Sequence, residues 1–325
     1  MAIREEIVTF GSQGAELSGT LLLPTGGGQC PAVVSLHGSG REDRTYNLSL
    51  GHYFAEAGIA WLAYDKRGVG ESTGDWLHLA DRPRSFHTLA EDALAGLRVL
   101  SEWNEIDEEQ VGIWGASQGG YVGVLATAQC DNVAFLICVS TPGIDTDRQM
   151  AYAISRALEA RGFGPLEIED VLRRRERCLE LLTSVALNQV GVDELQEFVQ
   201  NAMESDHHEF VVPRGWIDKS DIGTSLGKIV EAERSRPGYV YDPKPYLERV
   251  GVPLLAVFGE NDDLVPVEES KAAIRQALVK AGNERFEMKT FSGADHNLRL
   301  PSGREVLGYV DLMVEWLSND YRINP

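Results

Sequence analysis

The stretch VGIWGASQGG, residues 111–120, places a serine between two glycines where one apolar run ends and another begins. The run before it, residues 110–115, is short and apolar and predicts a buried strand. The run after it, residues 119–129, predicts a helix. In a chain with 33 glycines a Gly-x-Ser-x-Gly pattern also arises by chance, so its meaning depends on the surrounding sequence.

The same alternation of strands and helices extends in both directions from this stretch. It predicts an α/β fold with a mostly parallel central sheet and helices on both faces. The first 37 residues contain strand-like runs with no helix between them, so that edge of the sheet is expected to be antiparallel. The predicted helices are 46–58, 88–103, 119–129, 266–282 and 303–320, and the main predicted strands are 59–65, 110–115, 133–140, 252–259 and 285–292.

Residues 141–250 interrupt this alternation with three helix-like stretches. The longest of them carries an apolar stripe that includes Ile168, Val171 and Leu182. A helical insertion between two sheet strands is typical of a cap over a ligand site at the carboxyl ends of the strands. We therefore predict one α/β core formed by residues 1–140 and 251–325, and a mainly helical cap formed by residues 141–250.

The composition bears on which partners and which compartment to expect. The net charge of −20 at pH 7 repels phosphate backbones and anionic headgroups, which argues against nucleic acid and membrane surfaces as partners. The N-terminus has charged residues where a secretory signal has an apolar core. The four cysteines form no C-x-x-C pair, so we expect buried thiols, a cytoplasmic location and no metal site.

Ser117 stands at the predicted strand-to-helix junction, which is the context of a nucleophile elbow. In such an elbow the serine adopts a strained backbone conformation at the tip of a sharp turn. Gly115 and Gly119 are expected because a side chain at either position would collide with the neighbouring backbone. The N–H of Gln118, at the start of the helix, is then directed towards charge that forms near the hydroxyl.

A serine hydroxyl needs a base to become a nucleophile, and the base needs a carboxylate to orient it. His296, in FSGADHN, follows the last predicted strand and is the candidate base. The strand before it leads into FGENDDLVP, where the G-x-x-D spacing favours Asp262 over its neighbour Asp263. The order Ser117, Asp262, His296 is the order of an α/β-hydrolase triad.

A second donor for the oxyanion is expected from the loop after an early strand. The stretch HGSGRED, residues 37–43, is placed for this role, and the N–H of Ser39 is the first candidate. Gly38 or Gly40 could donate instead. His37 is interpreted as a support for this loop, and DKRGVGES, residues 65–72, as a turn that fixes it.

On the basis of these motifs, the chain resembles the α/β-hydrolase superfamily over nearly its whole length. The motifs HGSG, YDKRGVGES, GASQGG, GENDDLVP and GADH stand in that family's order. The resemblance extends to a capped bacterial branch of esterases, dienelactone-hydrolase-like proteins and serine aminopeptidase-like hydrolases. It implies the α/β-hydrolase fold, Ser117 as nucleophile, His296 as general base, Asp262 as its orienting group and no cofactor. No motif of the helical insertion matches the family.

The expected activity is hydrolysis of a small-molecule carboxylic ester through an acyl-enzyme. A small-peptide serine peptidase, an acyl thioesterase and a carbon–carbon bond hydrolase use the same triad and are the alternatives. A non-enzymatic binding protein of this fold is disfavoured because all three triad members are present. The sequence leaves open whether the chain forms a homo-oligomer.

Overall fold

A twisted sheet of eight strands forms the centre of the computed structural model, which describes residues 2–77, 84–213, 216–235, 240–319 and 321. The strands among these residues are β1 (Ile3–Ser12), β2 (Ala15–Pro24), β3 (Cys30–Leu36), β4 (Ala60–Tyr64), β5 (Ile106–Ala116), β6 (Leu136–Val139), β7 (Leu254–Gly259) and β8 (Phe286–Phe291). Their order across the sheet is β1-β2-β4-β3-β5-β6-β7-β8.

The direction of the strands follows from what connects them. β1 pairs with β2, and β2 with β4, in antiparallel fashion, whereas every pairing from β4 and β3 through to β8 is parallel. Parallel neighbours require a crossover connection, which the helices between them provide. The predicted mostly parallel sheet with an antiparallel N-terminal edge is confirmed.

Helices cover both faces of this sheet in the described chain. The helices that the structure describes are α1 (Thr45–Glu56), α2 (Arg84–Ser101), α3 (Gln118–Thr127), α4 (Thr146–Ala160), α5 (Pro165–Ala186), α6 (Val192–Met203), α7 (His208–Val211), α8 (Ile222–Ser235), α9 (Lys244–Leu247), α10 (Val267–Lys280) and α11 (Tyr309–Ser318). Of these, α4 to α8 belong to the helical insertion and the others to the unit that contains the sheet.

The strands β4, β6 and β7 are buried along their whole length, which explains their uninterrupted apolar sequences. Val33 of β3 belongs to a core cluster that includes Trp61, Trp114 and Trp316. Successive side chains of a strand point to opposite faces. The next residue, Val34, accordingly lies against α2, at Gly96.

Most predicted helices match the observed ones within a few residues, but the last one begins later than expected. The sequence predicts a helix over 303–320, whereas α11 begins at Tyr309. Gly308 adopts a left-handed conformation, with φ of 79°, and therefore cannot continue an α-helix. Residue 320 lies outside the described residues.

The helical insertion forms a compact unit of its own. Its main segment runs from Asp145 to Tyr241, inside the predicted range 141–250. Apolar side chains of α4, α5, α6 and α8 form its core, with Leu158, Leu182, Leu195 and Leu226 almost fully buried. Its role as a cap stays a prediction.

Two further sequence expectations concern the thiols and the membrane. Cys30, Cys138 and Cys178 are free and buried as expected, but Cys130 is partly exposed because it lies in the loop after α3. Within the described ranges, no helix has both the length and the apolar character that crossing a bilayer requires.

Candidate active site

Ser117 occupies the turn that joins β5 to α3. Its backbone has φ of 52° and ψ of −114°, outside the regions that a non-glycine residue normally adopts. Such a conformation persists only where the surrounding structure enforces it, and it is characteristic of functional sites. The strained turn is the conformation that the sequence predicts for a nucleophile elbow.

The two glycines of the elbow lie where backbone approaches backbone. A Cβ atom on Gly115 would overlap the carbonyl of Gly119. A Cβ atom on Gly119 would lie 2.6 Å from the carbonyl oxygen of Leu36 and 2.8 Å from that of His37. The glycine at 119 thus lets the end of β3 pass directly behind the elbow, and the loop that begins at His37 lies beside it.

His296 and Asp262 are in contact. The imidazole Nδ1 of His296 lies 2.8 Å from Oδ2 of Asp262, and the Asp262 side chain is completely buried. The other oxygen, Oδ1, accepts hydrogen bonds from the backbone N–H groups of Leu264 and Val265, both at 2.9 Å. The neighbouring Asp263 is exposed. The structure therefore places Asp262, and not Asp263, as the carboxylate on the imidazole.

The carboxyl ends of the parallel strands bring these groups to one edge of the sheet. Ser117 follows β5, Asp262 follows β7 and His296 follows β8. Neighbouring strands are about 4.8 Å apart, so β5 and β7, which flank β6, lie about 10 Å apart, a gap that an aspartate–histidine pair can bridge.

The loop that carries His296 folds back over the end of β7. The N–H of Asn261 donates to the carbonyl of Ala294 at 2.8 Å, and a side chain on Gly259 would overlap the carbonyl of Asp295. Nε2 of His296 and Oγ of Ser117 have no hydrogen-bond partner among the described residues. The structure thus joins His296 to Asp262 and, among the described residues, shows no hydrogen bond between His296 and Ser117.

Backbone N–H groups of two segments are candidates for the oxyanion hole. Gln118 is the first residue of α3, and N–H groups of the first helical turn have no acceptor within the helix. In the loop after β3, the N–H of Gly38 donates to Oε2 of Glu42 at 2.9 Å and is therefore engaged. The N–H of Ser39 makes no hydrogen bond within the described chain. This difference favours Ser39 over Gly38 as the second oxyanion donor. It does not distinguish Ser39 from Gly40.

One residue near the site was missed by sequence reasoning. Lys66, from the DKRGVGES turn, is 3% exposed and donates to Gly38, Gly40 and the side chain of Gln118. The only signal in the sequence is that three charged residues directly follow the buried strand β4. Charged side chains are almost never fully buried unless they are paired, and Lys66 is buried against three acceptors.

The remainder of that turn is held by a buried ion pair. Oδ1 of Asp65 accepts from the backbone N–H and Nε of Arg44, and Oδ2 accepts from Nη2 of Arg44 and the N–H of Glu71. Burial by itself would raise the pKa of Asp65, but the hydrogen bonds from Arg44 outweigh it, and the pKa is lowered. The turn therefore has the fixed geometry that its sequence suggests.

No group of three or more His, Cys, Asp or Glu side chains converges on a potential metal site within the described part of the chain.

Two families match different parts of the chain. The family described as "Serine aminopeptidase, S33" matches residues 29–174, which include the elbow, and the prolyl oligopeptidase family matches residues 225–322, which include Asp262 and His296. An uncharacterized 31.7 kDa protein of Escherichia coli is 24% identical over 271 residues, covering 82% of this chain and 85% of that protein.

Solved structures share the fold at low sequence identity. An esterase of Pyrococcus furiosus, PF2001, has a TM-score of 0.59 and 15% identity, over 98% of this chain and 91% of its own. The acylaminoacyl peptidase of Pyrococcus horikoshii has a TM-score of 0.60 and 16% identity, over all of this chain and 43% of its own. The eight-stranded sheet and the family matches agree: the chain is a serine hydrolase of the α/β class and belongs to the α/β-hydrolase superfamily.

Proposed function

We propose that the protein hydrolyses small carboxylic esters through an acyl-enzyme. The observation that carries the proposal is the contact between His296 and the buried Asp262, at the sheet edge where the strained Ser117 also lies. A carboxylate on Nδ1 keeps the proton there and leaves Nε2 as the basic nitrogen.

The proposed reaction begins when Ser117 Oγ attacks the ester carbonyl carbon and Nε2 of His296 takes the hydroxyl proton. The carbonyl π electrons move to oxygen, and the oxyanion accepts hydrogen bonds from the N–H groups of Gln118 and Ser39. When the tetrahedral intermediate collapses, the carbon–oxygen bond to the alcohol breaks and the His296 imidazolium protonates the leaving alkoxide. Water, deprotonated by His296, then attacks the acyl-enzyme, and the acid and free Ser117 are released.

Of the candidate substrates, an ester requires the fewest groups in the active site beyond the nucleophile, the base and the oxyanion donors. An alkoxide is a better leaving group than an amide nitrogen, which must be protonated before it departs. No additional group is needed to hold a charged peptide terminus. An uncharged alcohol and a short acyl chain are therefore the first substrates to test.

Hydrolysis of small peptides is the second candidate, and a specific finding favours it. The region with the elbow matches a family described as serine aminopeptidases, and the C-terminal region matches the prolyl oligopeptidase family. The two candidates share Ser117, Asp262 and His296 and differ in the leaving group. Comparing kcat/KM for p-nitrophenyl butyrate with kcat/KM for aminoacyl p-nitroanilides separates them: a higher value for the anilides would replace the ester proposal.

The catalytic assignment is tested by p-nitrophenyl acetate and butyrate turnover in wild type and Ser117→Ala. Removing the nucleophile is expected to lower kcat about 10⁶-fold, to the background of the assay. Ser140→Ala is the matched control, because Ser140 follows the neighbouring strand β6, also has a positive φ of 47°, and is buried without a hydrogen bond to its Oγ. Ser140→Ala should retain activity. Equal rates in wild type and Ser117→Ala would reject the assignment.

A further inference from the structure

The ammonium group of Lys66 connects the two segments that carry the proposed oxyanion donors. Its Nζ lies 2.7 Å from the carbonyl oxygen of Gly38, 3.3 Å from that of Gly40 and 2.8 Å from Oε1 of Gln118. The first two acceptors flank Ser39, and the third belongs to Gln118 itself. A lysine ammonium has three N–H donors and accepts none, so the three acceptors match its three protons.

The contact with Gly38 bears directly on the Ser39 N–H. The carbonyl of Gly38 and the N–H of Ser39 belong to the same planar, trans peptide group, in which C=O and N–H point in opposite directions. Because Lys66 holds the Gly38 oxygen on one side, the Ser39 N–H must point to the other. The orientation of this donor is thus set by a hydrogen bond made behind it.

Glu42 fixes the same loop from a second direction. Its Oε2 accepts from the N–H of Gly38 at 2.9 Å, and its carboxylate also lies close to Gly40. Its negative charge also raises the pKa of Lys66 and so partly offsets the lowering of that pKa by burial. Gly38 is thereby held at both its N–H and its C=O, so the loop cannot rotate its next peptide group without breaking a charge-assisted hydrogen bond.

We propose that Lys66 is a positioning residue of the oxyanion hole, which holds the Ser39 N–H and the start of α3 in the geometry that receives the oxyanion. This inference rests on the proposed function, since it assigns the same two donors. It goes beyond that function because it states that Lys66, which does not contact the substrate, affects the rate of catalysis.

The charge state of Lys66 gives the proposal a pH signature. Burial, partly offset by Glu42, lowers the pKa of Lys66 to about 8. Below this pH the ammonium satisfies all three acceptors. Above it the neutral amine has only two N–H groups, so one of the three contacts is lost. Turnover should therefore fall as the pH rises through about 8.

The test compares wild type, Lys66→Met, Lys66→Gln and Arg67→Met. Methionine has a similar length and no donor, so kcat should fall about 10- to 100-fold with KM nearly unchanged, less than the 10²–10³-fold cost of removing a donor outright. Glutamine retains two N–H donors without charge and should recover part of kcat. In both variants the loss of activity above pH 8 should be absent, because the amine that titrates has been replaced. Lys66→Gln also serves as the test if Lys66→Met does not fold.

Arg67→Met is the matched control for the loss of a buried cation from the same turn. Arg67 is 5% exposed and pairs with the buried Asp92, away from the loop of Ser39. Its loss should lower Tm while leaving kcat of the folded enzyme and its pH profile as in wild type. A folded Lys66→Met enzyme with wild-type kcat, or with the wild-type alkaline loss of activity, would overturn the proposal.

The rate at which a fluorophosphonate labels Ser117 separates this inference from the substrate assignment. The phosphoryl oxygen of the probe occupies the oxyanion hole during attack, so labelling depends on the same donors whatever the natural substrate. Labelling of wild type without ester turnover rejects the ester proposal, and the labelling rates of the Lys66 variants then decide the role of Lys66. Absence of labelling in wild type overturns both.

Discussion

His296 contacts one oxygen of Asp262, while the other oxygen of the same carboxylate is held by two backbone N–H groups. The Nδ1–Oδ2 distance is 2.8 Å, and the N–H groups of Leu264 and Val265 each lie 2.9 Å from Oδ1. Because both backbone groups are donors, the atom at the Oδ1 position must be an acceptor. In an amide side chain at this position, the oxygen would therefore take the Oδ1 position and the nitrogen would face the imidazole. This asymmetry makes the effect of an amide at position 262 predictable.

Asp262→Asn should inactivate the enzyme with little change in fold. The amide oxygen will occupy the position of Oδ1, and the NH₂ group will face Nδ1 of His296 and require it to accept a hydrogen bond. The proton of the imidazole then moves to Nε2, which can no longer take a proton from Ser117. We expect kcat for p-nitrophenyl butyrate to fall about 10⁴-fold, as for the equivalent substitution in other triads, with an unchanged circular dichroism spectrum.

Asp263→Asn is the matched control for this change, because Asp263 is adjacent, exposed and of the same type. It should keep kcat within about twofold of wild type, as surface substitutions away from structural features generally do. If Asp263→Asn loses as much activity as Asp262→Asn, the assignment of the orienting carboxylate is wrong.

The positions of Ser117, Asp262 and His296 along the chain could be predicted because each follows a strand with a clear apolar pattern. Parallel strands end at the same edge, so the order of the motifs was enough to group them. Lys66 could not be predicted in the same way. Its role depends on three acceptors from two distant segments, and no periodicity reports such contacts.

Gly119→Ala should destabilise the protein far more than an average glycine substitution. Its Cβ atom would lie 2.6 Å from the carbonyl oxygen of Leu36, and that carbonyl belongs to the end of a central strand that cannot move away. We expect the free energy of unfolding, measured by urea denaturation, to fall by at least about 1–3 kcal/mol. Activity should fall as well, since the same contact positions the loop after β3.

Gly251→Ala provides the comparison. A Cβ atom on Gly251 meets no atom within 4 Å, and its backbone is not left-handed. Its free energy of unfolding should stay within about 0.5 kcal/mol of wild type. Equal losses in the two variants would mean that the close approach behind the elbow is not what requires glycine.

The fold was more predictable than its details because burial on both faces leaves strong patterns in the sequence. The fully apolar β4 and β7 follow from the parallel sheet. The start of α11 could not be predicted in this way. The residues before it fit a helical pattern in sequence, but the left-handed Gly308 separates them from the helix. α8 was also missed, although Leu226, Ile229 and Val230 have helical spacing, because Gly223 and Gly227 lower the helix propensity of its first half.

Arg44→Met should destabilise the protein by about 3 kcal/mol or more. Arg44 and Asp65 form a buried pair, with Nη2 2.7 Å from Oδ2 and side-chain exposures of 11% and 3%. Removing one partner of a buried pair leaves the other charge uncompensated. Arg177→Met, which removes half-exposed pairs with Glu180 and Glu194, should cost less than about 1 kcal/mol. Urea denaturation at pH 7.5 measures both, and a similar cost for the two would contradict the importance of burial.

The stability of the wild type should decrease between pH 7.5 and pH 5 through His37. This imidazole is 4% exposed, and burial, together with the nearby Lys66 ammonium, lowers its pKa from 6.5 to about 3. In the unfolded chain it takes up a proton below pH 6.5, whereas in the folded chain it stays neutral until about pH 3. The contribution to stability is thus complete above pH 6.5 and is lost as the pH falls towards 3, which amounts to about 2 kcal/mol at pH 5.

His37→Leu removes this titration while leaving an apolar side chain against Tyr64, whose ring contacts the imidazole edge-on. Urea denaturation of both proteins at pH 7.5 and pH 5 separates the contribution of His37 from that of other groups, since those are common to both. The loss of stability on acidification should be about 2 kcal/mol smaller in the variant. An equal loss in the two proteins would show that His37 is protonated in the folded state at pH 5, and its assignment as a neutral, buried side chain would then be wrong.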